Sequence, residues 1–314
     1  MDFTIPLFFI GFYILIKGAN LLVDGASSIA KFLNVPSFVI GLVIVGIGTS
    51  IPEFAITLVD HITGAGEVGL GTIVGSNTFN IFFILGITAI AFTLPFKREW
   101  VTRDLVWNIA AIAMAAFFAF FLGKSDISRF EGGVMICLFL FWLFTVIKKT
   151  NHAAEDGESV RTVAFPLALG LILVGIAGTV FGGKWVVDGA TAMAQAFNVG
   201  ESFIGLTIVG IGTSLPELAV TFAAAYRGRL GIAIGNIIGS NIFDFLMILG
   251  VAAILRPVFV SPGFMIDVAV TFLASALLYI FMFIGEPHVL KRWQGFVFVL
   301  LYIIYIFYLY NTMT

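Results

Sequence analysis

The 314-residue chain has little charge, one cysteine and three histidines. Charged residues make up 11% of it, against about 25% in a typical soluble domain, whereas 60% of its residues are hydrophobic. So little polar surface cannot cover the core of a soluble protein, which excludes soluble enzymes, nucleic-acid-binding proteins and disordered chains. The single Cys137 excludes an intrachain disulfide. A soft-metal site is also disfavoured, because Cys137 is the single cysteine and the three histidines lie in or near loops.

What the chain has instead is a series of apolar runs, each near the roughly 20 residues that a transmembrane helix needs. They predict an all-α polytopic membrane protein. Its ten transmembrane helices are expected at residues 5–28, 37–62, 69–94, 102–122, 131–149, 165–189, 202–226, 232–256, 263–284 and 293–312. The N-terminal residues lack the basic stretch of a cleaved signal peptide, so the first run is expected to remain as a span.

Basic residues in the connections orient these helices. With the N-terminus outside, eleven Lys and Arg residues fall in inner loops and three in outer loops. Inner loops carry the excess of basic residues in membrane proteins. We therefore predict a multi-pass protein of the cell (inner or plasma) membrane with both termini outside. Residues 148–164 then form a cytoplasmic linker, too short for a regulatory domain.

The second half of the chain repeats the first. Residues 41–86 align without a gap to residues 205–250 at an offset of 164, and 23 of the 46 aligned pairs are identical. Such self-similarity indicates two copies of one structural unit. We predict one five-helix repeat over residues 1–147 and a second over residues 165–314.

The two repeats are expected to lie upside down relative to each other, because five spans per repeat is an odd number. Loop charges support this: Lys97 and Arg98 correspond at the same offset to the uncharged Ser261 and Pro262. Related sequence with opposite charge bias is the pattern of inverted-topology repeats, which are typical of secondary transporters.

Three acidic residues, Glu53, Glu217 and Asp244, lie deep within the predicted spans. Glu53 and Glu217 are repeat mates, and Asp244 is the mate of Asn80. An ionisable group inside the membrane costs about 2.5–3.5 kcal/mol on insertion scales, so it is a functional-site candidate by default. Residues four apart share one helical face. Four stripes of polar side chains result: Thr49, Glu53 and Thr57; Thr213, Glu217 and Thr221; Thr72, Ser76 and Asn80; and Asn236, Ser240 and Asp244.

A proline precedes each glutamate and predicts a helix broken at the membrane midplane. Pro52 and Pro216 have no backbone N–H, so the carbonyls of Gly48 and Gly212 lose their helical partners. In a membrane such carbonyls are tolerated only inside protein or beside a polar cavity. The four stripes and these carbonyls form what we call the polar cage. Its oxygen ligands suit Ca²⁺ and other hard cations. Its three carboxylates carry up to three negative charges, so one Ca²⁺ leaves a charge of minus one and three monovalent cations leave zero. Such a site could bind either load in turn.

The motifs GIGTSIPE (46–53) and GSNTFN (75–80), with GIGTSLPE (210–217) and GSNIFD (239–244), resemble the alpha-1 and alpha-2 repeats of the sodium/calcium exchanger family. The resemblance covers the whole chain and is greatest to the compact prokaryotic type of these calcium/cation antiporters. It implies a secondary antiporter that exchanges three Na⁺ for one Ca²⁺ electrogenically by alternating access. Such a protein is not an enzyme and needs only the lipid bilayer, with no cofactor, ATP or obligatory protein partner.

The resemblance also implies which residues bind the transported ions. The central Ca²⁺ ligands would be Glu53, Glu217 and the backbone oxygens of Thr49 and Thr213. The flanking Na⁺ sites would use Ser50, Ser76, Ser214, Ser240 and carbonyls near Gly46 and Gly210. Asn80 and Asp244 would complete the ligand set between the two glutamates.

Two alternatives stay open within this class. The first is potassium dependence, because the repeat mate of Asn80 is the acid Asp244. In potassium-dependent exchangers an aspartate in the second repeat is associated with K⁺ transport. Compact prokaryotic members can also carry this aspartate without using K⁺. A proton/calcium antiporter is the other alternative, because buried carboxylates can carry protons in place of Na⁺. Against it, the glutamate that follows Gly-Asn in proton-coupled relatives is absent after Gly235-Asn236.

Other classes fit less well. Inverted repeats around one broken-helix site favour alternating access over an ion channel. An intramembrane hydrolase would need a nucleophile and a base, and no His or Cys lies near the motifs.

Overall fold

The computed structural model describes residues 4–63, 67–121, 126–149, 163–196, 210–260 and 264–313. Within these ranges the first half forms helices α1 (Thr4–Leu33), α2 (Ser37–Thr49), α3 (Ile51–Thr63), α4 (67–91), α5 (100–121) and α6 (Arg129–Lys149). The second half forms α7 (Phe165–Ala196), α8 (Gly210–Gly212), α9 (Leu215–Tyr226), α10 (Leu230–Leu255), α11 (Phe264–Phe281) and α12 (Arg292–Met313).

Several of these helices contain a stretch of wider π-helix. The stretches are Gly41–Val45 in α2, Phe79–Leu85 in α4, Trp100–Leu105 and Phe117–Phe121 in α5, and Phe243–Ile248 in α10. Those in α4 and α10 begin at repeat mates, since Phe79 and Phe243 are 164 positions apart. π-Helical turns inside α-helices are often found at functional sites.

Eight of the described helices are long and apolar enough to cross a membrane, and the bent pair α2–α3 brings the number to nine. The tenth predicted span, 202–226, lies partly outside the described residues, and its described part contains the apolar helix α9. Most of the predicted linker, 150–162, also lies outside them. The all-α polytopic architecture predicted from the sequence is confirmed.

Two short antiparallel strand pairs link the repeats, which the sequence analysis did not predict. They are β1 (Leu94–Pro95) with β4 (Val289–Leu290), and β2 (Asp126–Ile127) with β3 (Val258–Phe259). In one pair Leu94 lies opposite Leu290, and in the other Val258 lies opposite Ile127. Leu94 and Val258 are repeat mates, so each pair reproduces the other with the two halves exchanged. This exchange is what two-fold-related repeats produce.

Helices α1 and α7 pack side by side and are also repeat mates. They contain 30 and 32 residues, and at about 1.5 Å per residue they exceed the ~30 Å hydrocarbon core. Glycines bring their backbones into contact: a Cβ on Gly18 would lie 2.7 Å from the Thr179 nitrogen, and one on Gly175 would lie 2.6 Å from the Leu22 nitrogen. Small residues of this kind allow membrane helices to approach closely.

Helices α4 and α10 form the centre of the bundle. Of their most apolar windows, 78% is buried, against 22–39% in the other six spanning helices. Glycines again set the packing, because a Cβ on Gly239 would clash with the Leu42 carbonyl of α2, and one on Gly41 would lie 2.7 Å from the Ile232 carbonyl of α10. The two central helices carry two of the four predicted polar stripes, those that end at Asn80 and Asp244, and both of these residues are buried inside protein.

Candidate functional site

Two serines break the helices that carry the glutamates. Ser50 ends α2 with φ −78° and ψ 9°, and Ser214 precedes α9 with φ −89° and ψ 7°. Both have left the helical region for the sparsely populated bridge region of backbone conformations. Across the first break, α2 and α3 are bent by 42°. The predicted broken helices are confirmed, and the two serines at the breaks have similar backbone angles.

Each break places a glutamate in the first turn of the helix that follows. Glu53 is the third residue of α3 and Glu217 the third residue of α9, and both are 1% exposed. All four of their carboxylate oxygens are buried, and none accepts a hydrogen bond from any residue that the structure describes. A helix N-terminus favours negative charge, but burying a carboxylate without a partner costs several kcal/mol. This arrangement is suited to binding a cation.

Hydroxyl groups of the opposite repeat surround each glutamate. Thr213 lies beside the Glu53 carboxylate, and Thr49 and Ser50 lie beside that of Glu217. The side-chain oxygens of Ser50, Thr213 and Ser214 are buried with no hydrogen-bond partner among the described parts of the chain. They are therefore free to turn their lone pairs toward an ion.

The third carboxylate differs from the two glutamates because it has a partner. Asp244 is 1% exposed, and its Oδ2 accepts a hydrogen bond of 2.9 Å from Asn77 Nδ2. Its Oδ1 accepts none from the described residues, and Ser50 and Ser76 lie beside it. Asp244 and Glu217 also repel Glu53 electrostatically, so the polar cage concentrates negative charge.

Asn236 joins the two repeats through hydrogen bonds close to Glu217. Its Oδ1 accepts a 3.0 Å hydrogen bond from the Thr49 hydroxyl, and its Nδ2 donates to the Glu217 carbonyl at 3.2 Å and to the Thr221 hydroxyl at 2.9 Å. One amide therefore hydrogen-bonds both to α2 of the first repeat and to α9 of the second. It brings together three of the polar stripes predicted from the sequence.

The Gly46 carbonyl is already hydrogen-bonded. It accepts from the Ser240 hydroxyl at 3.1 Å and from the Ser50 backbone N–H at 3.2 Å. An ion bound to this oxygen would have to displace the hydroxyl, which can rotate away and offer its own lone pair. The repeat mate Gly210 is the first residue of α8.

The remaining predicted ligands, Ser76 and Asn80, lie on α4. The Ser76 hydroxyl donates to the Ile73 carbonyl at 3.1 Å, and Asn80 Nδ2 donates to Asn241 Oδ1 at 3.0 Å. Among the described residues, no three His, Cys, Asp or Glu side chains converge on one metal position. Ca²⁺ takes six to eight oxygens, so a Ca²⁺ ion bound here would need carbonyls and hydroxyls for most of its ligands.

Two asparagines and two aspartates with contacts near or beside these helices were not predicted from the sequence. Asn77 and Asn241 contact the third carboxylate and its mate, and their identity at the 164-residue offset was a usable signal. Asp104 and Asp267, 163 positions apart, are further acids within the spanning helices of the two repeats.

Those two aspartates have partners within the protein. Asp104 has no exposed side-chain surface and is bound by Arg103 at 3.0 Å and by Trp142 Nε1 at 3.4 Å. Asp267 Oδ1 accepts a 2.8 Å hydrogen bond from the Tyr305 hydroxyl. They connect α5 to α6 and α11 to α12, respectively, and lie outside the polar cage.

Comparison with known proteins gives one consistent result. The chain matches the sodium/calcium exchanger protein family over residues 3–148 and 167–311. It is 34% identical over 297 residues to the uncharacterized membrane protein MJ0091 of Methanocaldococcus jannaschii, and 29% identical over 338 residues to the sodium/calcium exchanger MaX1 of Methanosarcina acetivorans. Each alignment covers 95% of both chains.

A solved structure agrees with the sequence comparisons. The sodium-calcium exchanger NCX_Mj, soaked with zero Na⁺ and Ca²⁺, has a TM-score of 0.84 and 32% sequence identity to this chain, covering 98% of both. The resemblance seen in the motifs is confirmed over the whole chain, and the two matched segments agree with the two repeats.

Proposed function

The chain belongs to the sodium/calcium exchanger family, whose members are transporters and not enzymes, and we propose that it exchanges three Na⁺ for one Ca²⁺ electrogenically by alternating access. We place it in the cell (inner or plasma) membrane with both termini outside. Its units in this proposal are the repeats 1–147 and 165–314 and a cytoplasmic linker, 148–164.

The observation that supports this proposal is the state of the two glutamates. Glu53 and Glu217 are buried at the breaks of mated helices, and their oxygens lack partners in the described chain. A protein retains such costly groups where an ion compensates them. The neighbouring hydroxyl and carbonyl oxygens complete a ligand set for hard cations.

The charge of the polar cage supports the stoichiometry. Glu53, Glu217 and Asp244 together carry up to three negative charges, which three Na⁺ neutralise and one Ca²⁺ leaves at minus one. Exchange of these two loads moves one net positive charge across the membrane per cycle. Because both loads use the same oxygens, their binding is competitive, which is the simplest coupling for an antiporter.

Alternating access requires a part that moves against the cage. Helices α1 and α7 are candidates because they pack on each other through glycines and lie outside the buried centre formed by α4 and α10. We propose that this pair slides across the centre and opens the cage to one side at a time.

The test is ⁴⁵Ca²⁺ uptake into Na⁺-loaded proteoliposomes diluted into Na⁺-free choline medium. Uptake that requires internal Na⁺ and is lost in Glu53→Gln supports the proposal. Asp267→Asn is the matched control, because it neutralises an acid of a spanning helix outside the cage while keeping an oxygen for Tyr305. Normal uptake in Glu53→Gln would contradict the site assignment.

Three further conditions test the finer points. An inside-positive potential should accelerate Ca²⁺ uptake if three Na⁺ leave per Ca²⁺, and a 2:1 exchanger would not respond. External and internal K⁺ should have no effect unless Asp244 supports K⁺ transport. Uptake driven by a pH gradient without Na⁺ would identify the proton-coupled alternative.

A further inference from the structure

Two side-chain pairs connect the central helices α4 and α10 next to the glutamates. In the first, Asn77 Nδ2 donates to Asp244 Oδ2 at 2.9 Å. In the second, Asn80 Nδ2 donates to Asn241 Oδ1 at 3.0 Å. All four side chains are at most 1% exposed, so these contacts form without competition from water.

The two pairs are repeat mates, but the direction of the hydrogen bond differs: Asn77 is the donor in the first pair, whereas its mate Asn241 is the acceptor in the second. Asn77 and Asn241 are identical mates, but Asn77 gives an N–H to a carboxylate whereas Asn241 contacts an amide. A carboxylate only accepts hydrogen bonds, while an asparagine presents a donor or an acceptor after a half-turn of its amide. The same residue type therefore serves Asp244 in one repeat and Asn80 in the other.

The Asn77 amide is held in its donating orientation. Its Nδ2 donates both to Asp244 and, at 2.7 Å, to the Ile73 carbonyl one turn earlier. Asp244 Oδ2 is thereby occupied, while its Oδ1 accepts no hydrogen bond from the described chain and is available to an ion. Both pairs lie where the π-helical stretches of α4 and α10 begin.

We propose that Asn77 and Asn241 are positioning residues of the polar cage. Each orients the side chain at the central position of the other repeat, and each can adapt its amide to an acid or an amide there. The third carboxylate of the cage can consequently occupy position 244 or position 80. The proposal rests on the proposed function of the cage in binding Na⁺ and Ca²⁺.

The two asparagines should differ in importance. Asn77 hydrogen-bonds a charge and Asn241 a neutral group, and bonds to charged groups contribute more. Asn77→Ala should raise the half-saturating concentrations of Na⁺ and Ca²⁺ about tenfold, and Asn241→Ala about threefold. Maximal rates per folded protein should change less, because the glutamates remain in place.

The decisive experiment moves the charge to the other repeat. In the swapped protein, Asn80→Asp combined with Asp244→Asn, the carboxylate faces Asn241 and the amide faces Asn77. Half-saturating Na⁺ and Ca²⁺ concentrations are measured by ⁴⁵Ca²⁺ exchange for Asn77→Ala and Asn241→Ala in both backgrounds. We expect the order to reverse, with Asn241→Ala the more damaging change in the swapped protein.

A merely structural role predicts no reversal, because each alanine would then cost the same in both backgrounds. An unchanged order, or equal effects of the two alanines in the wild type, would overturn the proposal. If the swapped protein folds but does not transport, shifts in thermal unfolding with NaCl or CaCl₂ report binding directly. Absence of either shift in the swapped protein would also overturn it.

These measurements separate the two proposals. A wild type without Na⁺-driven Ca²⁺ uptake contradicts the proposed function, and the ion-dependent unfolding shifts still rank the asparagine variants. A wild type that exchanges normally, with no reversal between backgrounds, contradicts only the positioning roles.

Discussion

The acids of the polar cage and the acids that anchor the peripheral helices all lie within apolar helices of the bundle, but in different surroundings. Glu53 and Glu217 are buried, and their oxygens accept no hydrogen bond from the described residues. Asp104 and Asp267 are bound by side chains of the following helix. The difference teaches that burial alone does not identify an ion ligand. Asp104 and Asp267 use their oxygens to connect neighbouring helices, whereas the glutamates, and Asp244 through its Oδ1, keep oxygens without a partner in the described chain, as the proposed ion site requires.

Both sets nevertheless follow the repeat. Asp104 and Asp267 are 163 positions apart, and so are their partners Trp142 and Tyr305. The same holds for the helix caps, where the Ser128 N–H donates to Glu131 and the Lys291 N–H donates to Gln294. Repetition therefore marks positions that build the fold as well as the positions of the proposed ion site.

The largest difference is expected when a cage glutamate is neutralised. Glu217→Gln should reduce Na⁺-driven ⁴⁵Ca²⁺ uptake at least about hundredfold, because it removes a buried charge that compensates the ion. Its melting temperature without Na⁺ and Ca²⁺ should not fall, since the mutation also removes repulsion with Glu53 and Asp244. A large loss of stability with normal uptake would show instead that Glu217 supports the fold and not transport.

The peripheral acid should show the opposite combination. Asp104→Ala should lower the free energy of unfolding by about 3 kcal/mol, because Arg103, with 17% of its side chain exposed, loses its buried partner. Uptake per folded protein should stay within about twofold. Chemical unfolding in detergent measures the first quantity, and Glu99→Ala, an exposed acid nearby, is the control. Loss of exchange in folded Asp104→Ala would place this acid in the transport machinery.

Ca²⁺ itself should distinguish the two regions. At a concentration one hundred times its dissociation constant, a ligand stabilises a protein by about 2.7 kcal/mol. Wild type and Asp104→Asn should gain this stabilisation on Ca²⁺ addition, whereas Glu217→Gln should not. Thermal unfolding with and without EDTA provides the measurement, and an equal gain in all three proteins would argue against Glu217 as a ligand.

The smallest effect is expected at the second peripheral pair. Tyr305→Phe removes one hydrogen bond to Asp267 and should lower the free energy of unfolding by about 1.5 kcal/mol. Tyr308→Phe on the same helix, where the ring is 41% exposed, should be nearly neutral. Equal effects of the two substitutions would show that the Tyr305 bond contributes no measurable stability.

Several elements of the fold could be predicted from the sequence, and others could not. The breaks at Ser50 and Ser214 follow from Pro52 and Pro216, because a missing N–H acts within one helical turn. The all-α architecture follows from the apolar runs and the two repeats from the 164-residue offset, since composition and spacing are properties of the chain itself. The ligand roles of the cage residues stay a prediction. The two-residue strands at Leu94 and Val258 were not predicted, because they have no periodicity to detect.

The sequence by itself determined the membrane character, the inverted repeats and the set of polar side chains from which an ion site can be built. Only the tertiary structure decided which of these side chains meet. The contacts of Thr49 with Asn236 and of Asn77 with Asp244 join residues 187 and 167 positions apart, across helix interfaces whose register depends on backbone contacts at glycines such as Gly41 and Gly239. Residue spacing along a helix reveals its polar face, but the packing of whole helices decides which face of a neighbouring helix lies against it.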